Sequence, residues 1–120
     1  MKTKHFQFIL IAALLALTLA ACGGSTPPSG TTVKAMDTFK FDPAALTGKV
    51  GETINITLDN EGVLEHNFVI TELNVSLGPV PAGQTASGSF TPSAAGAYEY
   101  FCDVPGHREA GMVGALTVNP

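Results

Sequence analysis

The 120-residue sequence holds no tryptophan, two cysteines, three histidines and three methionines, and its six Lys and Arg are outnumbered by ten Asp and Glu. Each shortage removes a class of protein. So few cations, with no basic stripe among them, cannot make the phosphate contacts that hold a nucleic acid. Two cysteines, one of them at position 22 beside the end of an apolar leader, cannot build a disulfide framework across a small domain. Beyond residue 22 no long stretch repeats its apolar residues at helical spacing, which excludes a helical bundle. The length allows one domain and little more.

What is present begins with a leader. Lys2, Lys4 and His5 precede an apolar run over residues 6–20, and Leu19-Ala20-Ala21-Cys22 closes it with small residues. This is the order of a secretory signal, too short and wrongly flanked for a membrane span. The closing tetrapeptide resembles the lipobox of bacterial lipoproteins. That resemblance implies that residues 1–21 are a lipoprotein signal peptide and that Cys22 is lipidated. The chain would then be exported and anchored to the outer face of a bacterial membrane, on its periplasmic or extracellular side. The alternative is a plain signal cut near Ala21, which leaves Cys22 as a free thiol. Without the leader, Lys34, Lys40, Lys49 and Arg108 stand against ten acids, so four cations against ten anions give a formal balance of −6. The acids are spread out, as solubility charge is. Residues 22–32 contain Gly, Ser, Thr, Pro27 and Pro28 and no apolar residue to bury after Cys22, and form a lipidated flexible tether.

From residue 33 the signals are those of strands. Thr53-Ile54-Asn55-Ile56-Thr57-Leu58 alternates with period two, placing Ile54, Ile56 and Leu58 on one face. Similar runs occupy residues 33–40, 66–71, 85–90, 97–102 and 113–118, with a weaker one over 45–50. Turn formers separate them, including Asp42-Pro43, Asn60-Glu61-Gly62, Gly78-Pro79 and Pro81-Ala82-Gly83. Six or seven short strands in about ninety residues predict an all-β domain over 33–120, a Greek-key antiparallel β-sandwich.

Cys102, His107 and Met112 stand near the end of the chain as Cys-x4-His-x4-Met, and His66 lies upstream in Leu64-Glu65-His66-Asn67-Phe68. If Cys22 carries lipid, Cys102 has no disulfide partner within the domain, and metal ligation is the leading use for it. A small buried hydrophobe is the bland alternative. A thiolate and two imidazoles with a long thioether contact on the axis suit copper moving between Cu(I) and Cu(II), because soft sulfur serves the first state and imidazole serves both. Zinc also accepts thiolate and imidazole.

These residues resemble the cupredoxins, the small type 1 blue copper proteins, most closely those of auracyanin, azurin and plastocyanin type. Glu65-His66-Asn67 is similar to the segment bearing the family's first ligand. Tyr98-Glu99-Tyr100-Phe101-Cys102 is similar to the strand leading to the second, and Cys102-Asp103-Val104-Pro105-Gly106-His107 to the loop of the azurin and auracyanin types. The resemblance implies a copper ion held by His66, Cys102, His107 and Met112, with Asn67 hydrogen-bonding across to the cysteine loop. It also implies a monomer that passes single electrons between redox protein partners such as respiratory or photosynthetic complexes and cytochromes. His107 is expected near the surface and His66 deeper, with Gly62, Val63, Leu64, Pro105 and Val113 as an apolar surround.

Three departures stand out. Asp103 follows the cysteine where relatives have Ser or Thr, and its charge either bears on the thiolate, favouring Cu(II), or turns to solvent. Glu65 replaces a glycine before His66. Arg108 and Glu109 bring charge beside an electron-exit surface that is usually apolar. Competing functions are an exported copper-binding protein for storage or delivery, or a metal-free adhesion sandwich. Enzymatic redox chemistry at several coppers is disfavoured, since only His66 and His107 remain once the leader carrying His5 is removed.

Overall fold

A computed structural model describes residues 30–120. The signal peptide, Cys22 and most of the tether lie outside the described residues.

Among the described residues nine strands make two sheets packed face to face. One sheet contains β1 (Gly30–Met36), β2 (Lys40–Asp42), β4 (Ile54–Asn60) and β7 (Thr85–Phe90), in the order β2-β1-β4-β7. The other contains β3 (Ala45–Lys49), β5 (His66–Ile70), β6 (Val75–Val80), β8 (Gly96–Phe101) and β9 (Val113–Asn119), in the order β3-β9-β8-β5-β6. The expected all-β sandwich is present. Its pairings are antiparallel except β1 with β4 and β3 with β9, which run parallel. The chain changes sheets between β2 and β3, and each parallel pair joins strands far apart in sequence, whereas the neighbours β1 and β2, β5 and β6, and β8 and β9 fold back antiparallel.

Local chemistry explains where expected strands shift. The run over 33–40 breaks in two because Asp37-Thr38-Phe39 makes a turn, with Phe39 at φ 56° and its N–H bonded to the Met36 carbonyl at 3.0 Å. β1 also starts at Gly30, three residues inside the expected tether, where residues 30–32 pair with 55–57 of β4. A strand the sequence hid is β6, since Gly78-Pro79 suggests a turn. β6 is an edge strand, where a proline costs no ladder bond on its outer side.

The period-two reading of β4 holds. Ile56 and Leu58 are fully inside and Ile54 is half-buried, facing Val33, Ala35, Phe68, Ile70, Leu116 and Val118 from the other strands. Each such side chain contributes about 1.5–3 kcal/mol by leaving water. Three rings form the centre: Tyr100 stacks on Phe68 at 4.8 Å, and Phe41 tilts against both, at 5.4 Å from Tyr100 and 6.0 Å from Phe68. The Tyr100 hydroxyl donates to the Pro43 carbonyl at 2.7 Å, which ties the second sheet to the β2–β3 connection. Burial pushes its ionisation up to about 12. Opposite it on β9 is Gly114, where any Cβ would overlap the ring.

Candidate metal centre

The β1–β2 turn, residues 61–65 before β5 and the loop between β8 and β9 meet at one end of the sandwich. Asn60, at the end of β4, shapes the second of these. It is completely buried, and its amide donates to the carbonyls of Leu64 at 2.7 Å and Val80 at 2.8 Å while its oxygen accepts from Gly62 N–H at 2.9 Å. A buried amide so satisfied fixes the loop that delivers His66 to the start of β5.

β5 opens with His66, Asn67 and Phe68, all buried. His66 pairs with Val80 and Phe68 with Leu77, so β6 carries one residue more than β5 across this stretch, a bulge beside the site. Gly78 sits in that bulge at φ 102°, and a Cβ there would come within 3.1 Å of the His66 carbonyl oxygen. Asn67 is covered by the residues just after β8. Its side-chain oxygen accepts from the Asp103 N–H at 2.8 Å, its amide donates to the Asp103 carboxylate, and its own backbone N–H donates to Cys102 Sγ at 3.4 Å.

Cys102 follows β8 directly, and Met112 directly precedes β9. The main chain closes the loop between them, with Cys102 N–H on the Met112 carbonyl at 3.1 Å and Met112 N–H on the His107 carbonyl at 3.0 Å. Gly106 and Gly111, at φ 87° and 105°, supply the left-handed backbone this short loop needs. Cys102 and Met112 have no exposure. His107 Nδ1 lies 3.4 Å from Cys102 Sγ, and the two histidine rings are 5.0 Å apart. His66, Cys102 and His107 offer ligand atoms that all lie within 4.8 Å of one another.

One atom argues for a guest in that space. Nδ1 of His66 is buried with no hydrogen-bond partner, a condition that costs roughly 1–3 kcal/mol unless something supplies the missing contact. A metal ion would supply it, and a thiol with two imidazoles suits copper or zinc and not magnesium or calcium. Burial pushes the Cys102 thiol up, with smaller pushes from the Asp103 and Glu65 carboxylates and opposition from the N–H groups of Asn67 and Val104. A metal must therefore displace a proton held more firmly than usual.

His66 is wholly buried, and His107 retains 8 % exposure. Besides His66, Phe39 packs on the His107 ring, edge-on at 5.0 Å. Val63 is 82 % exposed, and Leu64, Pro105 and Val113 are also exposed, with Gly62 intermediate. Arg108 is not loose beside the histidine: its guanidinium lies 4.0 Å over the Phe101 ring and pairs with Glu99. Asp103 turns its carboxylate to Asn67.

Sequence reasoning missed Asp37, Phe39 and Asn60. Asp37 Oδ1 lies 3.1 Å from His66 Nε2, and its carboxylate also accepts the N–H groups of Val63 at 2.8 Å and Leu64 at 3.2 Å. The Val63 N–H is the main cause that holds this carboxyl below the usual range; desolvation opposes it, and Leu64 and His66 add to the lowering. The available signal was Asp-Thr interrupting the Val33, Ala35 alternation, which marks a turn and not its role.

A two-sheet β domain with a buried histidine, cysteine and histidine gathered at one end defines a class of small metal-site sandwiches. The cupredoxin-like domain model matches residues 7–118, and the chain belongs to that family. It is 36% identical to the copper-resistant cuproprotein CopI of Rubrivivax gelatinosus over 68% of this chain, and it spans only 61% of that protein's length. It is 28% identical to Auracyanin-A of Chloroflexus aurantiacus over 98% of both chains. The solved structure of that "blue" copper protein superposes with a TM-score of 0.66 at 25% identity, covering 78% of this chain and all of the other. A Cu-containing nitrite reductase from Thermus scotoductus matches with a TM-score of 0.65 at 27% identity, over 76% of this chain and 27% of its own.

Proposed function

We propose that the protein is a blue copper protein that carries single electrons, and that His66, Cys102, His107 and the Met112 thioether would hold its one copper ion. The observation that carries this is the unpartnered, buried Nδ1 of His66, on a residue that offers a ligand atom within 4.8 Å of those of Cys102 and His107. Bound copper would supply a reversible Cu(I)/Cu(II) couple. The chain's own residues limit rearrangement as the charge changes: Asn67 holds β5 to the cysteine loop, Asn60 and Asp37 hold the loop before His66, and the Met112 main chain is bonded to both Cys102 and His107. A site that moves little between states exchanges electrons with a small reorganisation cost. His107, buried but for 8 % of its surface and the less buried of the two histidines, is the exit toward a redox partner protein.

Attachment through lipidated Cys22 to the outer face of a bacterial membrane belongs to the same proposal, supported by the Leu-Ala-Ala-Cys signal ending. Among the described residues no helix is long and apolar enough to cross a membrane. Cys22→Ala is expected to release the protein into the soluble exported fraction; retention in the membrane would refute the anchor.

A second function, copper storage or delivery, is favoured by the similarity to CopI. Cycling copper-loaded protein between ascorbate and ferricyanide separates the two. A carrier keeps its metal and regains its colour over repeated cycles, whereas loss of copper at each reduction would favour delivery.

A further inference from the structure

Asp37 is placed to do more than close a turn. A neutral imidazole has one N–H and one lone pair, and a carboxylate can only accept. With Asp37 Oδ1 at 3.1 Å from Nε2 of His66, the ring proton belongs on Nε2, and the lone pair belongs on the unpartnered Nδ1. We propose that Asp37 is a positioning residue for the metal centre, which fixes His66 as the Nε2–H tautomer with Nδ1 as the donor atom and sets a negative charge one imidazole away from the ion. The inference rests on copper binding at His66, Cys102 and His107.

The carboxylate is held where this requires. Val63 N–H donates to Oδ2, while Leu64 N–H and His66 share Oδ1, so Asp37 cannot swing out without releasing the loop that enters β5. Gly62 makes room for it, since a Cβ there would overlap the carboxylate. Asp103, the other acid next to the site, is engaged by Asn67 and reaches no histidine, so the two carboxylates act at different points. Partners that orient a ligating histidine typically change metal affinity by about 10–100-fold when removed. Here the charge also has a sign. A carboxylate hydrogen-bonded to a ligand favours Cu(II) over Cu(I), so removing it should raise the reduction potential.

Asp37→Asn separates charge from geometry. The Asn oxygen can keep the places of Leu64 N–H and His66, leaving only the N–H of exposed Val63 to water. Asp37→Ala removes both. In full-length copper-loaded protein, Asp37→Asn is expected to shift the Cu(II)/Cu(I) affinity ratio about tenfold toward Cu(I), which is ~59 mV upward for one electron. In metal-free protein, nitrogen NMR of His66 should show Nε2 protonated in wild type and in Asp37→Asn, and a mixture of tautomers in Asp37→Ala. A potential that falls or moves by less than about twofold in affinity ratio in Asp37→Asn, or an unchanged Nε2–H tautomer in Asp37→Ala, overturns the proposal. If Asp37→Ala does not fold, Asp37→Asn alone decides it through the potential. The NMR arm needs no copper, so a wild-type protein that binds none would refute the copper site while the tautomer still reports on Asp37.

Discussion

Replacing Asn67 with alanine removes the side chain that binds the two halves of the metal centre together. The backbone N–H that donates to Cys102 Sγ survives, but the two bonds to Asp103 are lost. A neutral hydrogen bond is worth about 1 kcal/mol net and one to a carboxylate about 1.5–3. Because Asp103 is exposed and can turn to water, the lower end applies, and the expected loss is ~2 kcal/mol in the metal-free protein. For a domain of this size that lowers Tm by roughly 8–16 °C. Circular dichroism melts of wild type and Asn67→Ala, without metal and with Cu(II), provide the comparison. Copper should also leave the variant faster into a chelator, since the loop bearing Cys102 and His107 is no longer held to β5. A stability change under about 0.5 kcal/mol with an unaltered release rate would refute the bridging role. Asn67→Asp sets two carboxylates face to face, so it should be less stable than Asn67→Ala at neutral pH and recover on acidification.

Other residues give independent checks. Tyr100 stays protonated in the fold up to about 12 against 10.0 ordinarily; its contribution is complete below pH 10 and is lost as pH rises to 12, by about 2–3 kcal/mol at 1.36 per unit. Denaturant titrations across that range should show the loss in wild type and not in Tyr100→Phe, which in turn costs about 1 kcal/mol at neutral pH for the bond to Pro43. Gly62→Ala displaces the Asp37 carboxylate and should raise the potential in the direction of Asp37→Asn, as voltammetry would record. Met112→Gln should keep the colour and lower the potential, and an unaltered spectrum and potential would remove Met112 from the ligand set.

The strands with clean alternation were legible because one face of each meets the core: Ile56 and Leu58 on β4, Leu116 and Val118 on β9. The Cys102 loop was legible because its cysteine, histidine and methionine are close in sequence and both its ends are fixed by strands. Hidden features all depend on contacts between distant segments. Nothing local to Gly78-Pro79 says that it lies on a sheet edge with a bulge beside His66. Asp37 stands 29 residues before its histidine, and an acid in a turn is ordinary until the fold brings the ring to it. Asp103 shows the same limit from the other side, since its neighbour in sequence is the cysteine and its partner in space is Asn67.

Cu(II) titration of the full-length protein, followed by absorption and by reduction with ascorbate, tests the metal centre most directly. One equivalent should produce an intense blue or green thiolate-to-copper band that bleaches and returns, and Cys102→Ala should produce none. A colourless wild-type protein, or a band that persists in Cys102→Ala, would contradict a copper site built on His66, Cys102 and His107.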